Sequence, residues 1–508
     1  MKDFEIIDGE LIRYNGQDSV VKIPNSVIRI GKYAFRACFG VTDIIIPNSV
    51  TIIGEHAFDE CHALTHIEIP NSVTVIDECA FSGCTGLTSI ELPDSIIKIK
   101  FGTFNGCKNL RNIKFPNLVI EIENNVFIGC SSLTSIEVPN SVIRIGEEAF
   151  AGCMALTNIR IPKSVITIGW GAFDCCEALT SIDVAEGNAS YASVDGALYD
   201  KEKKTLIRCP QAKTSINIPS SVTCIGNSAF WGCIKLIDVV IPNSVTSIDF
   251  DTFSGCEALK FNKYDNAFYV GNEENPYAFL ICAESADTTT CIIKDTCRCI
   301  GERAFKGREA LTSIIIPDSV ITIGQSAFAG CEKLTSVTIG NSVTSIGMCA
   351  FENCKELTSI TIPDSVTKIE NGAFYRCPKL TNIIIGNNIR SIQGGVFKGC
   401  RIKHKPKNNI AYKGFLVDMT CRNFQYKEGE TYTCDEAELC ACGFHACLNP
   451  LDCFNYYYDN YVVYHEVILE DRSDETGDDS KICGKKITIG RQLTIQEMFA
   501  IFNELNKD

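Results

Sequence analysis

Val73-Thr-Val-Ile76-Asp-Glu-Cys-Ala80-Phe81-Ser-Gly-Cys84-Thr-Gly-Leu87-Thr-Ser-Ile90-Glu-Leu92-Pro93 is one full statement of a pattern that most of the chain repeats. Its apolar positions are Val73, Ile76, Ala80, Phe81, Cys84, Leu87, Ile90 and Leu92, and the same offsets from the phenylalanine stay apolar in nearly every copy. Leu87 to Leu92 alternates apolar and polar residues, the period of a half-buried strand, and Pro93-Asp94-Ser95 turns the chain where that strand ends. A second short strand runs from Ile96 to Ile99. A compact turn then carries Ala-Phe inward, as a single helical or 3₁₀ turn does, and closes on Cys. Each unit is strand, corner, strand, turn.

The phenylalanine returns at 35, 58, 81, 104, 127, 150 and 173, at 230 and 253, and at 305, 328, 351, 374 and 397, with a step of 23 inside each block. A lone coil of this kind leaves its apolar side open, so coils stack at the parallel-strand spacing and stability becomes a sum over neighbours. The expected core is a column of phenylalanines beside leucine, isoleucine and valine. Two intervals break the step: irregular hairpin units are expected near 185–215 and near 262–295, the second rich in aromatics such as Tyr264, Tyr269 and Tyr277. Those rings read as the local core of a hairpin. Residues 1–22 form a further hairpin around Asp8-Gly9, in which Phe4, Ile6, Leu11 and Ile12 are expected to cover the first coil.

A formal charge of −15 opposes a sequence-independent grip on nucleic acid or an anionic membrane, both of which need clustered cations, so a protein or glycan partner fits better. The start Met1-Lys2-Asp3-Phe4-Glu5 has no basic leader before an apolar core, and no later run approaches a bilayer span, so neither an export signal nor membrane insertion is expected and the sequence favours the cytoplasm. Of the 29 cysteines, thirteen stand three residues after a repeat phenylalanine, and only Arg308 departs from that rule. Stacked thiols would point the same way rather than at each other, so buried, reduced cysteines are expected.

The string Ile-Pro-Asn-Ser-Val-Thr-x-Ile-Gly-x-x-Ala-Phe-x-x-Cys-x-x-Leu-Thr-Ser-Ile, nearly whole from Ile241 and from Ile362, resembles the BspA-type leucine-rich repeats of bacterial and some protist proteins. The resemblance implies a β-rich leucine-rich-repeat solenoid of parallel strands over residues 23–400. It also implies protein or matrix binding of the adhesion type, on surface or secreted proteins, and no enzyme.

Ten residues after the phenylalanine, an outward-facing position carries Glu68, Glu91, Lys114, Glu137, Arg160 and Asp183 in the early coils. Later coils carry Val240, Ile315, Thr338, Thr361 and Ile384 there. A charged stripe is often only a solvated face, but residues varied on a rigid sheet are also how solenoids recognise partners. This stripe is the candidate binding surface.

After a basic linker, residues 401–411, a small α+β domain is expected over 412–508. Its strands are read at Tyr412–Val417, Tyr461–Leu469 and Lys485–Ile489. A helix is read from Pro450 to Tyr458, an acidic loop from Glu470 to Asp479, and a last helix opened by a Thr494/Glu497 capping box. Tyr412-Lys-Gly-Phe415, Thr420-Cys-Arg-Asn-Phe-Gln-Tyr426 and Gly443-Phe-His-Ala-Cys447 resemble a domain of unknown function found in bacterial and phage proteins.

Cys440, Cys442, His445 and Cys447 have ligand-type side chains for zinc, although their spacing matches no standard knuckle and buried thiols are the alternative. The order of Tyr412-Lys-Gly414 and Gly443-Phe-His445 is loosely similar to compact ADP-ribosyltransferases, with Lys413 where those enzymes hold the dinucleotide and Glu497 as the late carboxylate. An effector or enzyme after residue 410 is therefore the alternative to a non-catalytic recognition protein. No catalytic signature appears elsewhere, and the sequence implies no cofactor.

Overall fold

The computed structural model describes residues 3–249, 252–401, 406–407, 409–421, 424–435, 444–456, 462–472 and 480–507. The chain forms two compact units, Met1–Val245 with Asp251–Lys260, and Thr246–Phe250 with Phe261–Asp508.

In the first unit the coils lie in parallel register, each residue opposite the one 23 positions on. Val20–Lys22 pairs with Asp43–Ile45, which pairs with His66–Glu68. A second ladder of two-residue strands, Arg29–Ile30, Ile52–Ile53 and Val75–Ile76, runs along the next corner. The same construction in the second unit gives a sheet of Thr290–Ile292, Ser313–Ile315, Ser336–Thr338, Ser359–Ile362 and Asn382–Ile385.

The turn around each phenylalanine divides its hydrogen bonds. The N–H groups of Ala34, Arg36 and Cys38 donate three residues back, in the 3₁₀ manner, to Gly31, Tyr33 and Phe35. Those of Tyr33, Phe35 and Ala37 donate sideways, to carbonyls of Glu55, Ala57 and Asp59 in the next coil. Successive N–H groups point in different directions only if the backbone reverses hand, and the residues two before and two after the phenylalanine do so: φ is 61° at Tyr33, 57° at Ala37, 60° at Asn125 and 73° at Gly129. The turn thereby becomes part of the inter-coil ladder instead of a free helical turn.

The phenylalanines stack as a column inside each unit. Phe58 and Phe81 have ring centroids 5.2 Å apart, Phe127 and Phe150 5.4 Å, and Phe351 and Phe374 5.3 Å. These are offset stacks, and the rings are fully buried. At the start of the first unit the column continues through Tyr14, 5.2 Å from Phe35, to Phe4, 5.2 Å from Tyr14.

Here the structure corrects the sequence reading. Ile12 is 37% exposed and Tyr14 does the covering. In the hairpin of Phe4–Ile7 with Glu10–Tyr14, Glu5 faces Arg13 and Ile6 faces Leu11, so Ile12 is the extra residue of a bulge and is turned out of the core.

The cysteines after the phenylalanines are free. From Cys61 to Cys176 each thiol donates to the carbonyl of the phenylalanine one coil earlier, at 3.1 to 3.3 Å. In the second unit Cys331, Cys354 and Cys377 do the same at 3.2, 3.4 and 3.1 Å. Burial pushes the Cys61 thiol up to about 12, so the neutral S–H donor persists at ordinary pH. Arg308 keeps part of this role, its guanidinium donating to the Ala283 carbonyl at 3.3 Å.

Between Phe173 and Phe230 the chain makes an antiparallel meander of Tyr191–Val194, Ala197–Asp200 and Thr205–Arg208. The meander's last strand rejoins the parallel ladder at Cys224–Ile225. Arg208 fixes it from within, 2.9 Å from the Asp174 carboxylate and 2.8 Å from the Ser228 carbonyl. A second meander, Asn262–Tyr264, Ala267–Val270 and Phe279–Ala283, opens the other unit, with Tyr269 and Phe279 buried in it.

The second unit ends in a small closed sheet. Ile410–Leu416 lies between Val462–Arg472 and Phe444–Cys447, and the long strand Lys481–Leu493 pairs with both of those neighbours. A 3₁₀ helix, Pro450–Asn455, stands where a longer helix was expected, and residues 457–461 lie outside the described residues. The terminal helix Ile495–Glu504 opens with the anticipated capping box of Thr494 and Glu497.

That helix covers the phenylalanine column, with Phe499 edge-on to Phe397 at 5.2 Å. Asn503 meets the outermost repeat strand as another strand would: its amide accepts from the Ile383 N–H at 2.8 Å and donates to the Ile383 carbonyl at 2.7 Å.

Candidate functional site

Strand alternation fixes what the repeat face displays. Ile67, Ile90, Ile136, Ile159 and Ile182 point into the core, so the residues that follow them, Glu68, Glu91, Glu137, Arg160 and Asp183, point out and are exposed. Lys114 is exposed in the same way.

The face is not one unbroken ladder. Glu68 closes a three-stranded sheet opposite Ile45. Glu91 and Lys114 face each other in a separate pair of strands and form an ion pair. Arg160 and Asp183 are register partners in a third pair, where the Ser181 hydroxyl donates to the Asp183 carboxylate at 2.9 Å.

Glu137 sits on a coil whose outer segment has no strand pairing, and a groove of about 410 Å³ opens there. Lys114, Phe115, Glu137, Val138 and Pro139 line it. Lys114 is neutralised by Glu91, whereas among the described residues Glu68 and Glu137 have no cation within ion-pair reach other than His66, 3.8 Å from Glu68. In the second unit the same position is uncharged, isoleucine or threonine: Ile292 is 65% and Ile315 69% exposed, side by side in register.

Sequence reasoning missed a second outward column, seven residues before the phenylalanine. Ile97, Ile120, Ile143 and Ile166 are all exposed there in four consecutive coils, linked N–H to carbonyl at 2.8 to 2.9 Å. In six other coils the position carries threonine, and its hydroxyl can bond the coil before, as Thr74 does with Thr51. The signal was the replacement of that threonine by isoleucine.

The terminal module holds a cavity of about 450 Å³. Lys413, Cys421, Cys434, His445, Cys447 and Lys481 line it together with the rings of Phe424, Tyr426, Phe444 and Tyr456. Lys413 lies between Ala411 and Phe415 on the core-facing side of its strand, is only 4% exposed, and donates to the His445 carbonyl at 2.8 Å. Burial holds its ammonium below the usual lysine range.

Of the zinc candidates, Cys440 and Cys442 lie outside the described residues. His445 and Cys447, two apart on one strand, share a face and both line the cavity. Among the described residues no three metal-ligating side chains come together. Glu497 is not among the described lining residues; the capping box and Arg491, 2.6 Å away, hold its carboxylate at about 2. Residues 402–405 and 408 of the basic linker and 473–479 of the acidic loop are outside the described residues. No described helix is long and apolar enough to cross a membrane.

Comparison with known proteins identifies two regions. Residues 409–501 match a domain of unknown function, DUF7666. No curated protein matches the chain. Among solved structures, a leucine-rich repeat protein from Bacteroides ovatus is 27% identical, over 77% of this chain and 87% of that one, with a TM-score of 0.37. One from Eubacterium ventriosum is 21% identical, over 77% and 93%, with a TM-score of 0.38. A leucine-rich cell surface protein from Faecalibacterium prausnitzii is 24% identical, over 77% and 88%, with a TM-score of 0.33. The BspA type leucine-rich repeat region, a family description that spans six repeat copies, matches over residues 13–134, 74–202, 121–259, 202–289 and 298–407. With its stacked 23-residue coils and the greater part of its length matched, the chain belongs to the BspA-type leucine-rich repeat family.

Proposed function

We propose that this chain is a non-catalytic recognition protein that binds a protein partner through the outward face of its repeat strands, centred on Glu68, Glu91, Lys114, Glu137, Arg160 and Asp183. One observation carries the reading: Glu91 with Lys114 and Arg160 with Asp183 vary from coil to coil on strands held in register, so a partner meets a preformed surface there and little ordering entropy opposes binding. Four carboxylates against two cations give the stripe a net negative face, and the groove beside Glu137 offers a recess for one side chain of the partner. The partner is expected to be basic where it meets Glu68 and Glu137. The stripe carries no aromatic platform, which favours a protein over a glycan.

The test uses the full chain with a photo-crosslinking residue at position 91 or, as a control on another face, at position 108. Crosslinks to one defined protein at position 91 and not at 108, lost on Glu68→Lys with Glu137→Lys, are the expected result. Equal capture from both positions, or capture indifferent to the charge reversals, would exclude this face.

A further inference from the structure

The module cavity joins features that no role in the repeat face requires. Its floor holds Lys413, almost fully buried on the core side of Ile410–Leu416. Leu416, Phe424 and Tyr456, which also line it, are 45, 46 and 38% exposed, so apolar side chains reach solvent at its mouth. Between floor and mouth stand Tyr426 and Phe444, and Phe424 packs on Tyr426 with ring centroids 4.7 Å apart. Lys481 lies on the wall, its ammonium 4.7 Å from the Tyr456 ring centre. The described lining includes Lys413, Lys481 and His445 and no carboxylate.

We propose that Lys413 is a carbonyl-capturing amine: the cavity admits a small aldehyde or ketone that bears an anionic group, and Lys413 holds it as an imine. A lysine at such a place on a strand is costly as structure, because an apolar side chain would pack there without a charge to desolvate. Placed in an apolar pocket, the same amine spends more of its time as the free base, the form that attacks carbonyl carbon.

The Nζ lone pair forms the new N–C bond and the carbonyl π electrons move to oxygen. Nitrogen then loses protons and the hydroxyl leaves as water, so that amine plus aldehyde gives imine plus one water, with no oxidant or reductant. The Lys481 ammonium supplies charge for the anionic group, and the flat rings favour a planar carbonyl compound.

The full chain is incubated at neutral pH with glyoxylate or, separately, with uncharged propanal, reduced with borohydride, and mapped by peptide mass spectrometry. Glyoxylate is expected to modify Lys413 at least about tenfold faster than the exposed Lys427. It is also expected to outpace propanal at Lys413 but not at Lys427. Lys413→Arg keeps a donor for the His445 carbonyl and should abolish the adduct at 413 while the module's circular dichroism is unchanged. Modification of Lys413 no faster than Lys427 by either probe overturns the proposal. Equal speed with both probes overturns its anionic half alone.

Discussion

Two glycines test whether the turns truly belong to the inter-coil ladder. Gly152 and Gly307 occupy the same place in their coils, two residues after Phe150 and Phe305, with φ of +73° and +68°. Any L-residue there carries left-handed strain of ~1–2 kcal/mol, offset by ~0.4–1 kcal/mol because alanine restricts the unfolded chain. Gly307→Ala should therefore cost ~1 kcal/mol, since an added Cβ meets nothing within 4 Å. At Gly152 the Cβ would lie 3.2 Å from the backbone nitrogen of Gly129 in the preceding coil, so that coil must shift and a further ~1 kcal/mol or more is expected.

Hydrogen exchange of the full chain, read by mass spectrometry, reports each region separately. Gly152→Ala should accelerate exchange in peptides spanning 125–160, and Gly307→Ala should produce a smaller change around 305–335. Equal effects at the two sites, or an effect of Gly152→Ala that spreads evenly over the chain, would contradict the sideways hydrogen bonding described here.

Phe127→Ala removes a buried ring that stacks on Phe104 and Phe150 and meets Phe115 edge-on, and should cost ~3–5 kcal/mol, seen as lost exchange protection confined to neighbouring coils. Lys413→Met should stabilise the module. Burial lowers this ammonium in the folded state, so the unfolded chain binds more protons and wild-type stability rises with pH toward the ordinary lysine range. With Cys421, Cys447, Cys453 and His465 as its titratable neighbours, the advantage of methionine should be full near neutrality and shrink by pH 10, measured by urea melts on the tyrosine near-ultraviolet signal. Asn503→Ala strips the Ile383 N–H and carbonyl of their partners and should cost ~1–3 kcal/mol, read as faster exchange at 382–385. Native-state alkylation at pH 8 should spare Cys61, whose thiol sits near 12, and reach it only after denaturant is added.

The coil was legible because one pattern, seen many times, averages out local accidents: Phe81, Leu87 and Ile90 each stand for a column. The terminal capping box was equally plain, since Thr494 and Glu497 act through local backbone alone. The left-handed positions were half visible. Glycine recurs two residues after the phenylalanine, at Gly83, Gly106, Gly129 and Gly152, but two residues before it Tyr33, His56 and Cys79 adopt the same hand with no glycine to announce it. Lateral hydrogen bonds impose that conformation, and they belong to the stack, not to the local sequence.

Tyr14 was missed because a bulge at Ile12 reverses the faces of the strand, and nothing in strict alternation marks a bulge. The charged stripe was readable as outward-facing. Its division into three sections was not, because that depends on which coils keep strand pairing. Lys413 could have been noticed, since it shares a strand face with Ala411 and Phe415. Recognising that as a buried amine required knowing that the sheet closes on itself.

Asn503 has a consequence for assembly. A parallel ladder has no natural last member: whatever offers the next row of amides and carbonyls extends it, including another molecule of the same kind. A single carboxamide, presented by the terminal helix, imitates that row and then offers nothing further to bind. The helix thus acts as a chain terminator, and without it the outermost repeat strand is left open to pair with a strand of another chain.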